Sequence, residues 1–119
     1  MSFIDGFLVA VPEKNRDAYL KMAKDCAPIF KEHGALSMTE CWGEDVAEGK
    51  VTSFQMAVQK KDDEVVVFSW IMWPSREVRD KGMEAAMQEP RLTEYMDPKN
   101  MPFDGERMIF GGFKVIFQA

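Results

Sequence analysis

The run EVVVFSWIMW, Glu64–Trp73, carries a single charge at its first position and is otherwise made of β-branched, aromatic and other apolar residues, the composition of a strand. Val66, Phe68, Trp70 and Met72 occupy one set of alternating positions, and the intervening residues are as apolar. Three more stretches read the same way: FIDGFLVAV (Phe3–Val11), ALSMTECWGED (Ala35–Asp45) and RMIFGGFKVIF (Arg107–Phe117). An antiparallel sheet normally keeps one polar, wetted face. Here both faces are apolar, and the chain offers only two long helical segments to cover them. One face therefore needs a partner.

The helices follow from spacing and punctuation. Between Pro12 and Gly34, the residues Tyr19, Met22, Ala23, Cys26, Phe30 and His33 recur at three- and four-residue steps and form one stripe. Gly34 is placed to cap its end. Pro28 removes one backbone hydrogen bond inside this helix, so a bend or an early loosening of the last turn is expected near Lys24. A second helix starts after Trp73-Pro74, with Ser75 as N-cap and Glu77 in the first turn, and runs to about Gln88. A short helix follows from about Glu89 to Met96, closed by Asp97-Pro98. Thr52–Val58 fits a short helix within a loop. The order strand, helix, strand, strand, helix, strand is the split βαβ of ferredoxin-like folds: α+β, with both crossovers on one face of a four-stranded antiparallel sheet.

Composition agrees with one globular domain over residues 1–119. Hydrophobic residues make up 46% and charged residues 29%, values of a folded, water-facing protein. The longest uncharged apolar run, Val65–Pro74, is half of what a bilayer-spanning helix needs. Asp5 interrupts the first strand before a signal-peptide core can form, so the expectation is a cytoplasmic protein. Cys26 and Cys41 form no CxxC or metal-ligand spacing and read as reduced thiols. Fifteen basic against twenty acidic residues give a net charge of −5 without a basic block; Lys60 and Lys61 are followed at once by Asp62, Asp63 and Glu64. That distribution argues against nucleic acid as a partner.

The uncovered face sets the assembly. On alternate positions the strands offer Phe3, Phe7, Val9 and Val11; Met38, Glu40 and Trp42; Val66, Phe68, Trp70 and Met72; and Ile109, Phe113, Val115 and Phe117. The pattern does not distinguish which set meets the helices, since either leaves a patch larger than monomers expose. A two-fold homodimer that packs two sheets face to face into an α/β barrel buries the patch on both subunits.

The segments AYLKMAKDCAPIFKEHGAL (Ala18–Leu36), VVFSWIMWPSREVRDKGMEAAM (Val66–Met87) and MPFDGERMIFGGF (Met101–Phe113) resemble the YbaA-like bacterial proteins grouped as domain of unknown function 1428. The resemblance covers almost the whole chain. It implies a ferredoxin-like protomer of the dimeric α/β-barrel superfamily, and it brings no catalytic residues with it. That superfamily includes small monooxygenases that work without a cofactor, haem-degrading enzymes and stress-response proteins. The Asn-Trp-His set of the haem-degrading relatives has no counterpart in this sequence, and one fold hosts many functions.

Three residues are candidates for proton transfer. His33 is the only histidine, the residue type that titrates near neutrality, although a helix C-terminus is also a favoured place for a structural histidine. Asp5 and Glu40 each interrupt an apolar strand face, where desolvation raises the proton affinity of a carboxylate and fits it to accept a proton from a C–H or O–H acid. The competing reading is an ion pair with Arg107 or Lys114. Trp42, Trp70 and Tyr95 are candidates for a ligand cavity because indole and phenol groups join an apolar body to a polar tip. Ten methionines point to adaptable packing. Gly111-Gly112 reads as a bulge or a close approach, and Asp104-Gly105 as a turn. Phosphate-loop, GxSxG, HExxH and zinc patterns are missing from the sequence, so no cofactor or metal is expected. The expectation is a dimeric barrel that binds a small hydrophobic or aromatic molecule. The alternatives are a cofactor-independent monooxygenase-like or isomerase-like enzyme, and a non-catalytic structural or interaction protein.

Overall fold

The structure, a computed structural model, describes residues 2–119. Along the chain run β1 (Phe3–Pro12), a 3-10 turn (Glu13–Asn15), α1 (Arg16–Glu32), β2 (Ser37–Trp42), α2 (Phe54–Ala57), β3 (Glu64–Trp73), α3 (Arg76–Ala86), α4 (Pro90–Met96), a second 3-10 turn (Gly105–Arg107) and β4 (Ile109–Lys114). The strands form one sheet in the order β2-β3-β1-β4, with every neighbouring pair antiparallel. This is the ferredoxin-like α+β arrangement. No helix among the described residues is long and apolar enough to cross a membrane.

Register resolves which positions face the helices. Phe3, Asp5, Phe7, Val9 and Val11 of β1 stand opposite Trp73, Ile71, Ser69, Val67 and Val65 of β3, and Met38, Glu40 and Trp42 of β2 stand opposite Ile71, Ser69 and Val67. These residues meet Tyr19, Cys26, Ile29 and Phe30 of α1 in the core, with Ala86 of α3 and Leu92 of α4. Val66, Phe68, Trp70, Met72, Ile109 and Phe113 lie on the other face. The alternate positions grouped from the sequence thus divide between the two faces by strand. The second face is covered at one corner only, where Val58 packs on Ala10 and Val66 and Phe54 meets Phe68 edge-on. Phe68 is 44% and Phe113 64% exposed.

Several boundaries differ from those read in the sequence. β2 is shorter than Ala35–Asp45, because Gly43 leaves the ladder with a single bond to the Val66 carbonyl. β4 covers only Ile109–Lys114 of the expected Arg107–Phe117, since Arg107 belongs to the 3-10 turn and Ile116 and Phe117 project into solvent past the sheet. α1 is assigned without a break through Pro28. Ser75 and Ser53 cap α3 and α2, their hydroxyls accepting from Val78 N at 3.2 Å and Met56 N at 3.0 Å.

One polar knot lies inside the apolar layers. Arg79 of α3 donates from Nε to both oxygens of Asp5 at 3.1 Å and from Nη2 to Oδ1 at 2.8 Å, while the fully buried Trp73 donates its indole N–H to Oδ2 at 3.0 Å. Asp5 is therefore paired with Arg79, and neither Arg107 nor Lys114 plays that part. Gly112 stands opposite Asp5 on β4, and a Cβ there would come within 2.6 Å of Arg79 Nη2. The register through Gly111-Gly112 is continuous, so the pair makes no bulge, and it is Gly112 that serves close approach, here of a guanidinium. Gly82 does a similar service on α3: a Cβ would meet the His33 carbonyl oxygen at 2.4 Å and the Trp73 ring at 2.5 Å. Arg107 instead clasps Glu64, donating to Oε1 at 2.7 Å, and this pairing holds the Glu64 carboxyl down to about 2.

Removing the cation while keeping the shape should be severe. Arg79→Met leaves the Asp5 charge buried with only an indole partner, and the expected loss is about 3–5 kcal/mol of unfolding free energy, read from urea denaturation. A loss below about 1 kcal/mol would mean that Arg79 does not carry the Asp5 charge.

Candidate functional site

The stripe on α1 does more than fill the core. Tyr19, Met22, Ala23, Cys26 and Phe30 form one wall of a cavity of about 200 Å3, whose floor is the helix-facing side of the sheet at Phe7, Val9, Met38, Glu40, Ser69 and Ile71. Leu92, Tyr95 and Met96 of α4 complete the lining, together with Met87, Met101, Phe103 and Met108. Helical periodicity on one side and strand alternation on the other bring these residues to a common space. The lining is almost wholly apolar, and six of the ten methionines contribute to it.

The polar exception is a pair. Tyr19 Oη donates to Glu40 Oε1 at 2.6 Å, and Ser69 stands directly across the ladder from Glu40. Burial raises the Glu40 pKa above its ordinary value, against the opposing effect of the Tyr19 hydrogen bond and the nearby Ser69 hydroxyl. Burial, with the Glu40 charge adding to it, also pushes the Tyr19 phenol far up. The Cys26 thiol is pushed up to about 11, chiefly by burial and further by the charges of Asp25 and Glu40. A thiol in that state is a poor nucleophile.

The candidates from the sequence separate in space. Glu40 lies in the cavity. Asp5 lies outside its lining, clasped by Arg79 and Trp73. His33 caps the C-terminus of α1, with Nε2 3.1 Å from Glu89 Oε1. Glu32, His33 and Glu89 place ligand atoms within 4.8 Å of one another, and Arg91 bonds both carboxylates, at 2.8 Å to Glu32 and 3.3 Å to Glu89.

Of the aromatic candidates, Tyr95 lines the cavity. Its hydroxyl donates to Asp25 and accepts from Lys21 Nζ at 3.4 Å. Through Tyr95 the cavity adjoins an open polar depression of about 640 Å3 between α1 and α4, edged by Lys21, Lys24, Asp25, Arg91 and Glu94. Trp70 contributes to the cavity wall from its position on β3, while its ring packs at a tilt of 59° against Phe68, on the uncovered face, with centroids 5.4 Å apart. Trp42 is outside the cavity, packed beside Val9, Val11 and Val67 with the Arg16 guanidinium 5.4 Å from its ring. Tyr19 and Ser69 are the members that sequence reasoning passed over as site residues. A signal existed for Tyr19: a phenol placed on an otherwise apolar stripe needs a hydrogen-bond partner.

Comparison with known proteins agrees with this architecture. Solved structures of the same fold include Rv0793 from Mycobacterium tuberculosis, at TM-score 0.61 and 12% identity over 100% of this chain and 99% of that one. They also include a dimeric ferredoxin-like protein from an uncultured marine organism, at TM-score 0.64 and 8% identity over 99% and 98%. SnoaB, a cofactor-independent oxygenase from Streptomyces nogalater, matches at TM-score 0.58 and 12% identity over 98% and 95%. At such identities the likeness is one of fold. The chain belongs to the protein family of unknown function DUF1428, whose model matches residues 2–105. Within it, the uncharacterized protein YbaA of Escherichia coli (strain K12) is 54% identical over 116 residues, 98% of this chain and 97% of that protein.

The raised pKa of Glu40 has a signed consequence for stability. The folded protein holds this proton more tightly than the unfolded chain, so the associated stabilisation is complete below about pH 4.3, the unfolded value, and is lost as pH rises through the folded value. Glu40→Gln keeps an acceptor for Tyr19 and removes the charge. Its stability relative to the unaltered protein should grow between about pH 4 and pH 7, measured as the difference in urea midpoint. A difference flat across that range would rule out a burdened carboxylate at Glu40.

Proposed function

We propose that this protein binds a small, largely apolar or aromatic molecule in the cavity between α1 and the sheet, and that it works as a homodimer. The observation that carries the reading is the Tyr19–Glu40 pair, a directional polar element facing an otherwise apolar space beneath α4. Ligand sites combine these features, an apolar enclosure with few convergent polar groups. The volume of the cavity suits a single small ring system or a short chain. The same reading places the protein in the cytoplasm, where Cys26, which is buried, and Cys41 stay as thiols.

The dimer rests on the uncovered face. Its exposed phenylalanines would be costly in water and prone to association, and the dimeric ferredoxin-like neighbour supports a dimer. Phe113→Asp puts a charge on that surface, on the edge strand β4, without entering the core. Native mass spectrometry should show twice the chain mass for the unaltered protein and a monomer for Phe113→Asp at micromolar concentration. A monomeric unaltered protein would defeat the dimer.

Catalysis is the second reading, and Glu40 is the observation that favours it. A carboxylate whose proton affinity is raised by burial, set in an apolar cavity, can take a proton from an acidic C–H or O–H. The cofactor-independent oxygenase among the structural neighbours lends the idea a precedent of fold. The two readings part on one variant. If the protein only binds, Glu40→Gln leaves the affinity for a neutral probe such as benzyl alcohol within about threefold in ligand-observed NMR, and no probe is consumed by either form. If it is an enzyme, a substrate is converted by the unaltered protein and remains bound but unchanged with Glu40→Gln. Failure of all small apolar and aromatic probes to bind would remove both.

A further inference from the structure

Three carboxylates are held within the sheet, one on each of β1, β2 and β3, and their partners differ. Asp5 is met by Arg79 through three N–H contacts, and Glu64 is met by Arg107. Glu40 has a phenol and a facing hydroxyl but no ion pair among the described residues. Arg16, one turn before Tyr19 on α1, is engaged over the Trp42 ring. The residues lining the cavity include no lysine, arginine or histidine. Charges removed from water are ordinarily paired, because an isolated one is strongly disfavoured. The protein follows that rule at its two buried carboxylates, Asp5 and Glu64, and leaves the half-buried one that faces the cavity, Glu40, without an ion pair among the described residues.

We propose that the ligand of this cavity is a small organic cation, a primary ammonium or protonated nitrogen heterocycle on an aromatic or aliphatic body, whose N–H donates to Glu40 and whose charge supplies the missing partner. This rests on the cavity-binding reading above and narrows it to a substrate class. The walls suit such a guest: Phe7, Tyr19, Phe30 and Phe103 present aromatic rings, which attract cations at their faces, and the thioethers are polarisable. An anion would meet the Glu40 charge in a space with no cation to receive it. The other titratable groups lining the space, Tyr19, Cys26 and Tyr95, are all shifted upward. They stay neutral over the range in which Glu40 changes charge, so that range isolates Glu40.

Three probes of one shape and different charge test this: benzylammonium, benzyl alcohol and benzoate, titrated into the purified full chain at pH 7.5 by calorimetry or NMR. Benzylammonium is expected to bind about tenfold or more tightly than benzyl alcohol, with benzoate weakest. Glu40→Gln should shrink that preference to below about threefold. Should Glu40→Gln fail to fold, the unaltered protein gives the same answer. Its preference for benzylammonium over benzyl alcohol must fall as pH is lowered towards 4, and a preference independent of pH overturns the proposal. Benzyl alcohol or benzoate binding as tightly as benzylammonium also overturns it, and leaves the cavity as a binding site for neutral or anionic guests. Binding by none of the three overturns both this inference and the reading on which it rests.

Discussion

The contact on which the rest of the protomer depends is the clasp of Arg79 on Asp5. It joins the start of β1 to α3, draws in Trp73 at the end of β3 through its indole N–H, and requires the open backbone of Gly112 on β4. Four elements thus converge on one carboxylate. α3 can lie this deep only because Gly82 lets it touch the Trp73 ring and the carbonyl at the end of α1. With α3 seated there, α1 occupies the remaining breadth of the helix-facing surface, and its stripe is held over β2 and β3 at the distance that leaves a cavity between them.

Helices on one face leave the other to be resolved by something outside the protomer. The uncovered surface is uncharged across β1, β3 and β4, apart from the corner under Val58 and Phe54. Its apolar character and the cavity's are separate properties, placed on opposite sides of the same strands. Trp70 shows the division within one residue, since its strand position helps to wall the cavity while its ring joins Phe68 on the far side. A ligand on one side and a partner on the other would both act on β3.

Much of the fold was legible in the residues, because the signals were local. Glu64–Trp73 was bounded correctly by a charge at one end and Trp-Pro at the other, and Ser75 starts α3 as a serine at such a position does. Face assignment was not legible, since alternation carries information only when one face is polar. The partner of Asp5 was hidden as well. Arg79 lies 74 residues away, on a helix whose exposed charges look alike in sequence, and only the packing of α3 selects it. Glu40 was legible as an interruption of an apolar face. Its pairing with Tyr19 depended on the rotation of α1 about its axis, which the apolar stripe defines too coarsely to orient one hydroxyl. His33 and Trp42 were drawn into consideration by residue type alone, and the structure sets them at Glu89 and under Arg16, away from the cavity.

The methionines around the cavity carry a consequence of their own. Met22, Met38, Met87, Met96, Met101 and Met108 are unbranched side chains with low torsional barriers, and they surround one anchored pair, Tyr19 and Glu40. Such a wall can reshape itself around guests of differing outline at small energetic cost, while the anchored pair stays in place. Selectivity of this kind is strict about the chemistry of one point and tolerant of contour. If the cavity takes a ligand as proposed, such a wall would suit a protein that meets a series of related compounds, more than one that recognises a single metabolite.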